Sequence, residues 1–180
     1  GGGGLDTIEV VLRTAAAVDA IRRITAELGP SMLVGAGTVL SADQAAAALD
    51  ARAAFLVSPG TNASVVNYAR AQGTPIIPGV ATATEAEAAL GLGLTTVKFF
   101  PAEAIGGVKA LKALAAPFGE RLRWMPTGGI SEGNMGDYLA LPAVCAVGGS
   151  WLVPPDAVSA RDFGAVRALA AAAVEQLRPR

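Results

Sequence analysis

The sequence contains no histidine, and its 180 residues include a single cysteine, Cys145. Without histidine, the common Ser-His and Cys-His nucleophilic pairs are excluded, and the most frequent zinc ligand is absent. One cysteine can form no intramolecular disulfide, which is typical of a reducing compartment. No basic residue adjoins Cys145 in sequence, so we expect a small core residue on a strand rather than a nucleophile.

Long hydrophobic runs and an excess of either charge are also lacking. Glycine, proline or a charged residue interrupts every apolar run before it reaches the length of a membrane-spanning helix. The net charge is −1 and no basic stripe is present, which disfavours nucleic acid and anionic membranes as partners. The four N-terminal glycines do not have the basic start and apolar stretch of a signal peptide. We therefore expect a cytoplasmic protein.

Hydrophobic residues make up 52% of the chain but aromatic residues only 5%, so aliphatic side chains supply the packing. Short β-prone stretches alternate with Ala-rich segments, as in successive βα units. The predicted strands are Asp6–Arg13, Met32–Gly35, Ala54–Val57, Pro75–Ile77, Thr95–Phe99, Leu122–Met125 and Val144–Val147. The predicted helices are Ala15–Leu28, Ala42–Ala51, Ala63–Ala71, Thr84–Leu90, Val108–Ala115, Glu132–Leu139 and Asp162–Leu177, several of them after the candidate N-caps Thr14, Ser41, Thr61, Thr82 and Ser131.

Seven βα units in a row predict an α/β fold with a parallel sheet. An open doubly wound sheet and a closed (β/α)₈ TIM barrel both fit, and the polar or Gly-rich loops after almost every strand favour the barrel. A barrel needs eight strands and seven are visible, so the first strand with its helix is expected to lie upstream. We expect residues 1–180 to form a single domain, a TIM barrel that is incomplete at its N-terminus.

Three lysines are present, and one of them, Lys98, lies in a strand-like run. Lys109 and Lys112 fall one turn apart on a predicted helix, where both would be solvated. Thr96, Lys98 and Phe100 share one face of their strand, which a barrel would turn inward. Burial lowers a lysine pKa, and the neutral amine is the nucleophile that imine formation requires. Lys98 is therefore a candidate Schiff-base residue, and the alternatives are an edge-strand lysine or a structural ion pair.

In the first predicted strand, Ile8, Val10 and Leu12 alternate with Glu9 and Arg13. If the apolar set faces the helices, Glu9 and Arg13 enter the barrel, with Arg13 nearer its carboxyl-terminal mouth. A glutamate near an amine can shuttle protons, and an arginine can hold a carboxylate at two points. An internal ion pair that only fills the barrel is the alternative.

Two glycine pairs, Gly128-Gly129 and Gly148-Gly149, follow the sixth and seventh visible strands. Paired glycines let backbone N–H groups converge on an anion, and barrels often hold phosphate after strands seven and eight. The pairs take those positions if one strand lies upstream. They predict a phosphate site, with two tight turns as the alternative.

Together these motifs resemble the 2-keto-3-deoxy-6-phosphogluconate (KDPG) aldolase family. The matching runs occur in family order over nearly the whole chain and are Glu9-Val10-Val11-Leu12-Arg13-Thr14, Gly35-Ala36-Gly37-Thr38-Val39-Leu40, Ser58-Pro59-Gly60, Ile77-Pro78-Gly79, Lys98-Phe99-Phe100-Pro101-Ala102-Glu103, Pro126-Thr127-Gly128-Gly129-Ile130 and Gly148-Gly149-Ser150-Trp151-Leu152. The chain departs from the family pattern in two ways. The family has further N-terminal residues that include the first strand, and Val11 stands where threonine is expected.

The resemblance implies a homotrimeric (β/α)₈ class I aldolase that requires no metal or organic cofactor and splits KDPG into pyruvate and glyceraldehyde 3-phosphate. By position, Lys98 is the implied Schiff-base lysine, and Glu9 is the implied general acid/base, acting through a water. The implied substrate-binding residues are Arg13 and Thr38 for the carboxylate, Pro59 and Phe100 for the pyruvyl pocket, and Thr127, Gly128, Gly129, Gly149 and Ser150 for the polar and phosphate end.

Three alternatives stay open. A sibling aldolase would act on 2-keto-3-deoxy-6-phosphogalactonate or on 4-hydroxy-2-oxoglutarate, although the Phe99-Phe100 and Gly-Gly-Ser-Trp runs are more similar to the KDPG branch. A phosphate-binding barrel without lysine chemistry would be an isomerase or a synthase. A truncated barrel with exposed strand edges would be inactive or would need a partner segment.

Overall fold

The computed structural model describes residues 2–177, in which parallel strands alternate with helices. The strands are β1 (Thr7–Val11), β2 (Leu33–Gly37), β3 (Phe55–Val57), β4 (Ile76–Ile77), β5 (Gly79–Val80), β6 (Thr96–Phe99) and β7 (Arg123–Pro126). The α-helices are α1 (Ala17–Leu28), α2 (Ala42–Asp50), α3 (Ala63–Ala71), α4 (Ala83–Gly91), α5 (Gly107–Ala115), α6 (Met135–Leu139), α7 (Pro155–Ser159) and α8 (Phe163–Gln176). Two short 3₁₀ turns cover Glu103–Ile105 and Gly119–Arg121.

All strand pairs are parallel and lie in two ladders, β1-β2-β3-β4 and β5-β6-β7. Pro78 separates β4 from β5 because its nitrogen has no hydrogen to donate to a neighbouring strand. Its carbonyl still accepts a hydrogen bond from Lys98 N at 2.8 Å, so this interrupted strand joins the two ladders. The result is the predicted α/β, TIM-barrel-like arrangement, and the ladder of residues 2–177 does not close into a complete ring.

The prediction of a strand over Val144–Val147 is wrong. Val144 makes an isolated parallel bridge with Trp124, and Gly148, just after the segment, makes another with Thr127. Cys145 N donates to Trp124 O at 3.0 Å, and Gly148 N donates to Pro126 O at 2.9 Å. Within the described residues the segment is paired on this side alone, so its hydrogen bonding is too sparse for a regular strand.

Helix starts follow the sequence where a capping side chain is present. The Thr82 and Glu85 side chains form a reciprocal capping box at α4, Ser41 accepts from Gln44 N at α2, and Asp162 accepts from Ala165 N at α8. These contacts satisfy backbone N–H groups that the first helical turn leaves unpaired. The last predicted helix, Asp162–Leu177, is confirmed as α8 to within one residue at each end.

Other predicted caps are wrong. Asn62 rather than Thr61 caps α3, and the Thr61 hydroxyl instead donates to Gly79 O at 3.0 Å. Helix α1 begins after Ala16 without any side-chain cap, so Thr14 is not its N-cap. Ser131 does not start a helix either, because the Asn134 side chain accepts from Ser131 N and holds a turn before α6.

The outer faces of the strands pack against helices that carry small buried residues. The strand residues Ala36, Leu56, Val97 and Trp124 and the helix residues Ala45, Ala48, Ala69, Ala86 and Ala89 are all fully buried. Small side chains let the helices approach closely, and because successive strand side chains alternate, the other face of each strand points away from the helices. The prediction that Cys145 is a core residue is wrong, since it is exposed and its thiol lies 3.6 Å from Trp124 O.

Among residues 2–177, no helix combines the length and the apolar character that crossing a bilayer would demand.

Candidate active site

Lys98 lies at the centre of the candidate site, on β6, with 6% of its surface exposed. Its backbone is paired on both sides, with Gly79 as the register partner on β5 and Met125 on β7. With its backbone held between two strands, Lys98 places its side chain in the interior, where it is buried. This confirms the predicted inward orientation of Lys98.

Glu9 reaches Lys98 from a strand in the other ladder. The Lys98 Nζ and the Glu9 Oε1 are 3.9 Å apart, and the Glu9 side chain is 23% exposed. The strands β1 and β6 share no hydrogen bonds, so the contact crosses the interior. The two predicted catalytic side chains are thus brought together by the fold, at a distance longer than the roughly 2.7–2.9 Å of a charge-assisted hydrogen bond.

Burial lowers the pKa of the Lys98 amine from its ordinary value, because desolvation penalises the ammonium form. The Glu9 carboxylate opposes this shift, and the Arg13 guanidinium adds to it by repelling the positive charge. Burial is the largest of the three effects, so the neutral amine becomes more accessible than for a solvated lysine. That form is the one that can attack a carbonyl carbon.

Two glycines on the inner face of β2 make room for side chains from both neighbouring strands. A Cβ atom on Gly37 would lie 2.6 Å from Cδ of Glu9, and one on Gly35 would lie 2.6 Å from the Phe55 ring atom Cδ2. Real Cβ atoms essentially never come so close to another atom. The space that Glu9 occupies therefore exists only because residue 37 has no side chain.

The residues predicted to bind the carboxylate lie in the loops after β1 and β2. Thr38 follows β2 directly and has a φ of +58°, in the left-handed region that a β-branched residue rarely adopts. Arg13 is exposed just beyond β1, close enough for its charge to influence the Lys98 amine. Strained backbone of this kind is often kept where a side chain must point into a site.

Pro59 precedes Lys98 in the chain, and Phe100 follows Lys98 just beyond the end of β6. The Lys98 Nζ is 4.9 Å from the centroid of the Phe100 ring, within the range of a cation–π contact. Pro59 lies in the loop after β3, and its carbonyl packs so closely on Gly79 that residue 79 has no room for a Cβ. Pro59 also forms part of the wall of a cleft that includes Val39 and Leu40.

The glycine pairs lie side by side beyond the end of β7. Gly128 and Gly129 have φ values of +98° and +80°, which other residues rarely adopt. The Thr127–Gly148 bridge joins the two loops, so Gly149 and Ser150, both exposed, follow directly beside the first pair. Arrays of backbone N–H groups without Cβ atoms are suited to binding an anion.

Sequence reasoning missed three residues that shape this site: Gly37, Glu103 and Tyr138. The sequence could have indicated Gly37, because Gly35 and Gly37 share one face of β2 and Glu9 lies on the neighbouring strand. The Glu103 carboxylate accepts a hydrogen bond from the hydroxyl of Tyr138 on α6, a residue distant in sequence, and no local pattern indicates such a pair. Within residues 2–177, no three His, Cys, Asp or Glu side chains cluster closely enough to hold a metal ion.

Comparisons of the sequence and of the fold with known proteins identify one family. The family model described as KDPG and KHG aldolase matches residues 2–169. The KHG/KDPG aldolase of Escherichia coli K12 is 50% identical over 173 residues, which are 96% of this chain and 80% of that protein. The chain is thus similar to most, but not all, of its curated relative.

Solved structures with a similar fold belong to the same family. The KDPG aldolase from Legionella pneumophila, crystallised with pyruvate captured at low pH as a covalent carbinolamine intermediate, is 38% identical with a TM-score of 0.91 over 95% of this chain and 82% of that chain. The KDPG aldolase of Zymomonas mobilis ZM4, crystallised with 3-phosphoglycerate, is 44% identical with a TM-score of 0.88 over 96% of this chain and 79% of that chain. Family model, sequence relatives and fold all lead to one assignment: the chain belongs to the KDPG and KHG aldolase family.

Proposed function

We propose that this protein is a class I aldolase that cleaves 2-keto-3-deoxy-6-phosphogluconate to pyruvate and glyceraldehyde 3-phosphate. The observation that carries the proposal is the buried Lys98 amine, with its lowered pKa, 3.9 Å from the Glu9 carboxylate. An amine that can lose its proton, beside a group that can exchange protons, is what imine chemistry requires. The family relatives named for this reaction support the same assignment.

In the proposed reaction the neutral Lys98 amine attacks the C2 ketone of the substrate and forms a carbinolamine. Glu9, carrying the proton that Lys98 gave up, donates it to the carbinolamine hydroxyl, which leaves as water and gives a protonated imine. The imine accepts the electron pair of the C3–C4 bond as that bond breaks. Glu9 takes the proton from the C4 hydroxyl, so that glyceraldehyde 3-phosphate leaves as the aldehyde. Proton return to C3 of the resulting enamine, followed by hydrolysis of the imine, releases pyruvate and restores the amine.

The remaining site residues are proposed to hold the two ends of the substrate. A positive guanidinium can bind a carboxylate at two points, and glycine N–H groups can bind a phosphate. The proposed assignments are Arg13 and Thr38 to the carboxylate, Pro59 and Phe100 to the pyruvyl carbons, and Thr127, Gly128, Gly129, Gly149 and Ser150 to the polar and phosphate end. The imine itself is the electron sink, so the proposed chemistry needs no metal or organic cofactor.

The proposal extends to the setting in which the enzyme works. We expect residues 1–180 to act as a single TIM-barrel domain within a homotrimer in the cytoplasm. The single exposed cysteine, Cys145, fits a reducing compartment, where free thiols persist. Mass measurement in solution tests the trimer, which would give three times the mass of the 17.9 kDa chain.

Trapping with pyruvate and borohydride tests the lysine chemistry directly. Pyruvate should form an imine that reduction makes permanent, adding one reduced pyruvyl group, and peptide mapping should locate it on Lys98. Lys109 and Lys112 serve as internal controls because both are exposed on α5 and should stay unmodified. An unmodified Lys98 in a folded protein would contradict the proposal.

A second candidate substrate is 4-hydroxy-2-oxoglutarate, which lacks the phosphate. It is favoured by the Escherichia coli relative, whose name covers both activities. Comparing kcat/KM for this substrate, for KDPG and for 2-keto-3-deoxy-6-phosphogalactonate, each by release of pyruvate, separates the candidates. The glycine loops beyond β7 lead us to expect the highest value for KDPG.

A further inference from the structure

The loop that carries Gly128 and Gly129 is held in place by one residue of the Lys98 segment, Glu103. Its backbone N donates to Gly128 O at 3.0 Å, and the preceding Ala102 N donates to Thr127 O at 2.8 Å. These bonds continue the β6–β7 pairing beyond the ends of both strands. The position of the loop is therefore tied to the segment that follows Lys98.

The side chain of Glu103 fills the space that Gly129 leaves free. A Cβ atom on Gly129 would lie 2.6 Å from both Cβ and Cγ of Glu103, so the glutamate stem packs directly on the glycine backbone. On its other side, Gly129 O accepts a hydrogen bond from Asn134 Nδ2 at 3.0 Å. Gly129 is thus clamped between Glu103 and Asn134.

The end of the Glu103 side chain is held by a buried tyrosine. Tyr138 on α6 is fully buried, and its hydroxyl donates a hydrogen bond to Glu103 Oε1. Burial raises the pKa of Tyr138, and the Glu103 hydrogen bond and charge add to the rise, so the hydroxyl keeps its proton and remains a donor. The glutamate is consequently fixed at its backbone, along its stem and at its carboxylate.

We propose that Glu103 and Tyr138 form a positioning pair that sets the distance between the Lys98 amine and the Gly128-Gly129 loop, and so gives the enzyme its preference for substrates that carry a phosphate. This inference rests on the proposed function, because the loop is proposed to bind the phosphate. Neither residue is among those proposed to contact the reacting carbons. Their effect should therefore fall on the binding of the phosphorylated end and leave the imine step unchanged.

Steady-state kinetics with two substrates test the pair. Glu103→Ala and Tyr138→Phe should each raise KM for KDPG about tenfold, the scale on which removal of a binding interaction acts, with kcat nearly unchanged. Both variants should leave KM for unphosphorylated 4-hydroxy-2-oxoglutarate unchanged. Glu103→Gln should behave almost as the unchanged protein, since its amide oxygen can still accept the Tyr138 hydrogen bond. Glu132→Ala, which removes an exposed carboxylate nearby, and Tyr68→Phe on α3 are matched controls.

Two measurements separate this inference from the proposed function. Calorimetric titration with inorganic phosphate requires no imine, so weaker phosphate binding by Glu103→Ala and Tyr138→Phe would support the pair even if Lys98 formed no adduct with pyruvate. Equal losses on the two substrates, an unchanged KM for KDPG, or a glutamine variant as impaired as the alanine variant would overturn it. Tyr138→Phe removes only one oxygen, so it remains informative if Glu103→Ala does not fold.

Discussion

Oε1 of Glu9 and Nζ of Lys98 lie 3.9 Å apart, although they come from strands of different ladders. The carboxylate stabilises the ammonium form of the lysine, whereas burial of the amine stabilises the neutral form. Burial has the larger effect, so the lysine pKa is lowered while a proton acceptor stays beside it. The pair can thus supply both a nucleophile and a proton shuttle.

Replacing the central amine should abolish turnover without unfolding the protein. Lys98→Arg keeps a positive charge, but a guanidinium with a pKa above about 12 cannot release its proton to attack a ketone. We expect pyruvate release to fall by on the order of 10³-fold or more, the scale on which loss of a nucleophile acts. Lys112→Arg on α5 is the control and should be fully active. Residual activity close to that of the unchanged protein would exclude an imine on Lys98.

Glu9→Gln should slow cleavage while preserving imine formation in part. The amide is nearly isosteric with the carboxylate but cannot accept the proton from the substrate hydroxyl. We expect kcat to fall by about 10²–10⁴, the usual contribution of one acid/base group. Glu27→Gln, at an exposed site on α1, is the matched control. If kcat is unaffected, another group must carry the proton.

Gly37→Ala should reproduce much of the Glu9→Gln defect with every polar group retained. The new methyl group would lie 2.6 Å from Cδ and 2.7 Å from Cγ of Glu9, so the carboxylate must move away from its present position. We expect a loss of kcat that does not add to that of Glu9→Gln in the double variant, because both act on one group. Gly91→Ala is the control, since nothing lies within 4 Å of a Cβ there. Additive losses would show that Gly37 acts elsewhere.

Thr38→Gly should stabilise the protein and weaken substrate binding. The left-handed backbone at φ +58° costs a β-branched residue about 1–2 kcal/mol, whereas glycine adopts it freely at an entropic cost of roughly 0.5–1 kcal/mol. Denaturant unfolding should therefore show a gain of up to about 1.5 kcal/mol, with a raised KM from loss of the hydroxyl. Arg52→Gly, at φ +67°, should gain stability without any change in KM. An unchanged KM in Thr38→Gly would remove Thr38 from the substrate site.

The lowered pKa of Lys98 predicts how stability changes with pH. Burial penalises the protonated lysine, so the penalty is fully present below the lowered pKa and disappears as pH rises towards the ordinary value of 10.5. In that window the unfolded chain binds more protons than the folded one, so unfolding should become harder as pH rises. The difference in unfolding free energy between the unchanged protein and Lys98→Met isolates this effect. A difference that stays constant across the window would contradict the lowered pKa.

The same shift predicts the pH at which pyruvate trapping becomes fast. The half-point of the trapping rate should lie below 10.5, because the amine loses its proton earlier than a solvated lysine does. Glu9→Gln should lower that half-point further, since the carboxylate that favours the ammonium is gone. Arg13→Gln should raise it, because a repelling positive charge is removed. Shifts in the reverse directions would contradict these electrostatic roles.

Several parts of the fold could be predicted because their signals are local. Thr82 and Glu85 stand at the capping-box spacing, and Asp162 precedes an Ala-rich run, so the starts of α4 and α8 follow from short-range hydrogen bonds. The sequence predicts Thr61 as the cap of α3, but Asn62 takes that place because the Thr61 hydroxyl donates to Gly79 O, which is distant in sequence. The strand predicted over Val144–Val147 does not form for a similar reason. A strand needs hydrogen-bonding partners from distant segments, and a local pattern does not show whether they are present.

The sequence by itself determined that Lys98 is the exceptional lysine and that Glu9 lies on the strand face opposite to Ile8 and Val10, because strand alternation is a local pattern. It also determined where the two glycine pairs lie in the chain. Only the tertiary structure decided that Glu9 and Lys98 meet across the interior, that Gly37 provides the space for this meeting, and that Glu103 and Tyr138 clamp the Gly129 loop. The reason is physical: these contacts join residues far apart in the chain, and their distances are set by how strands and helices pack, which no local pattern encodes.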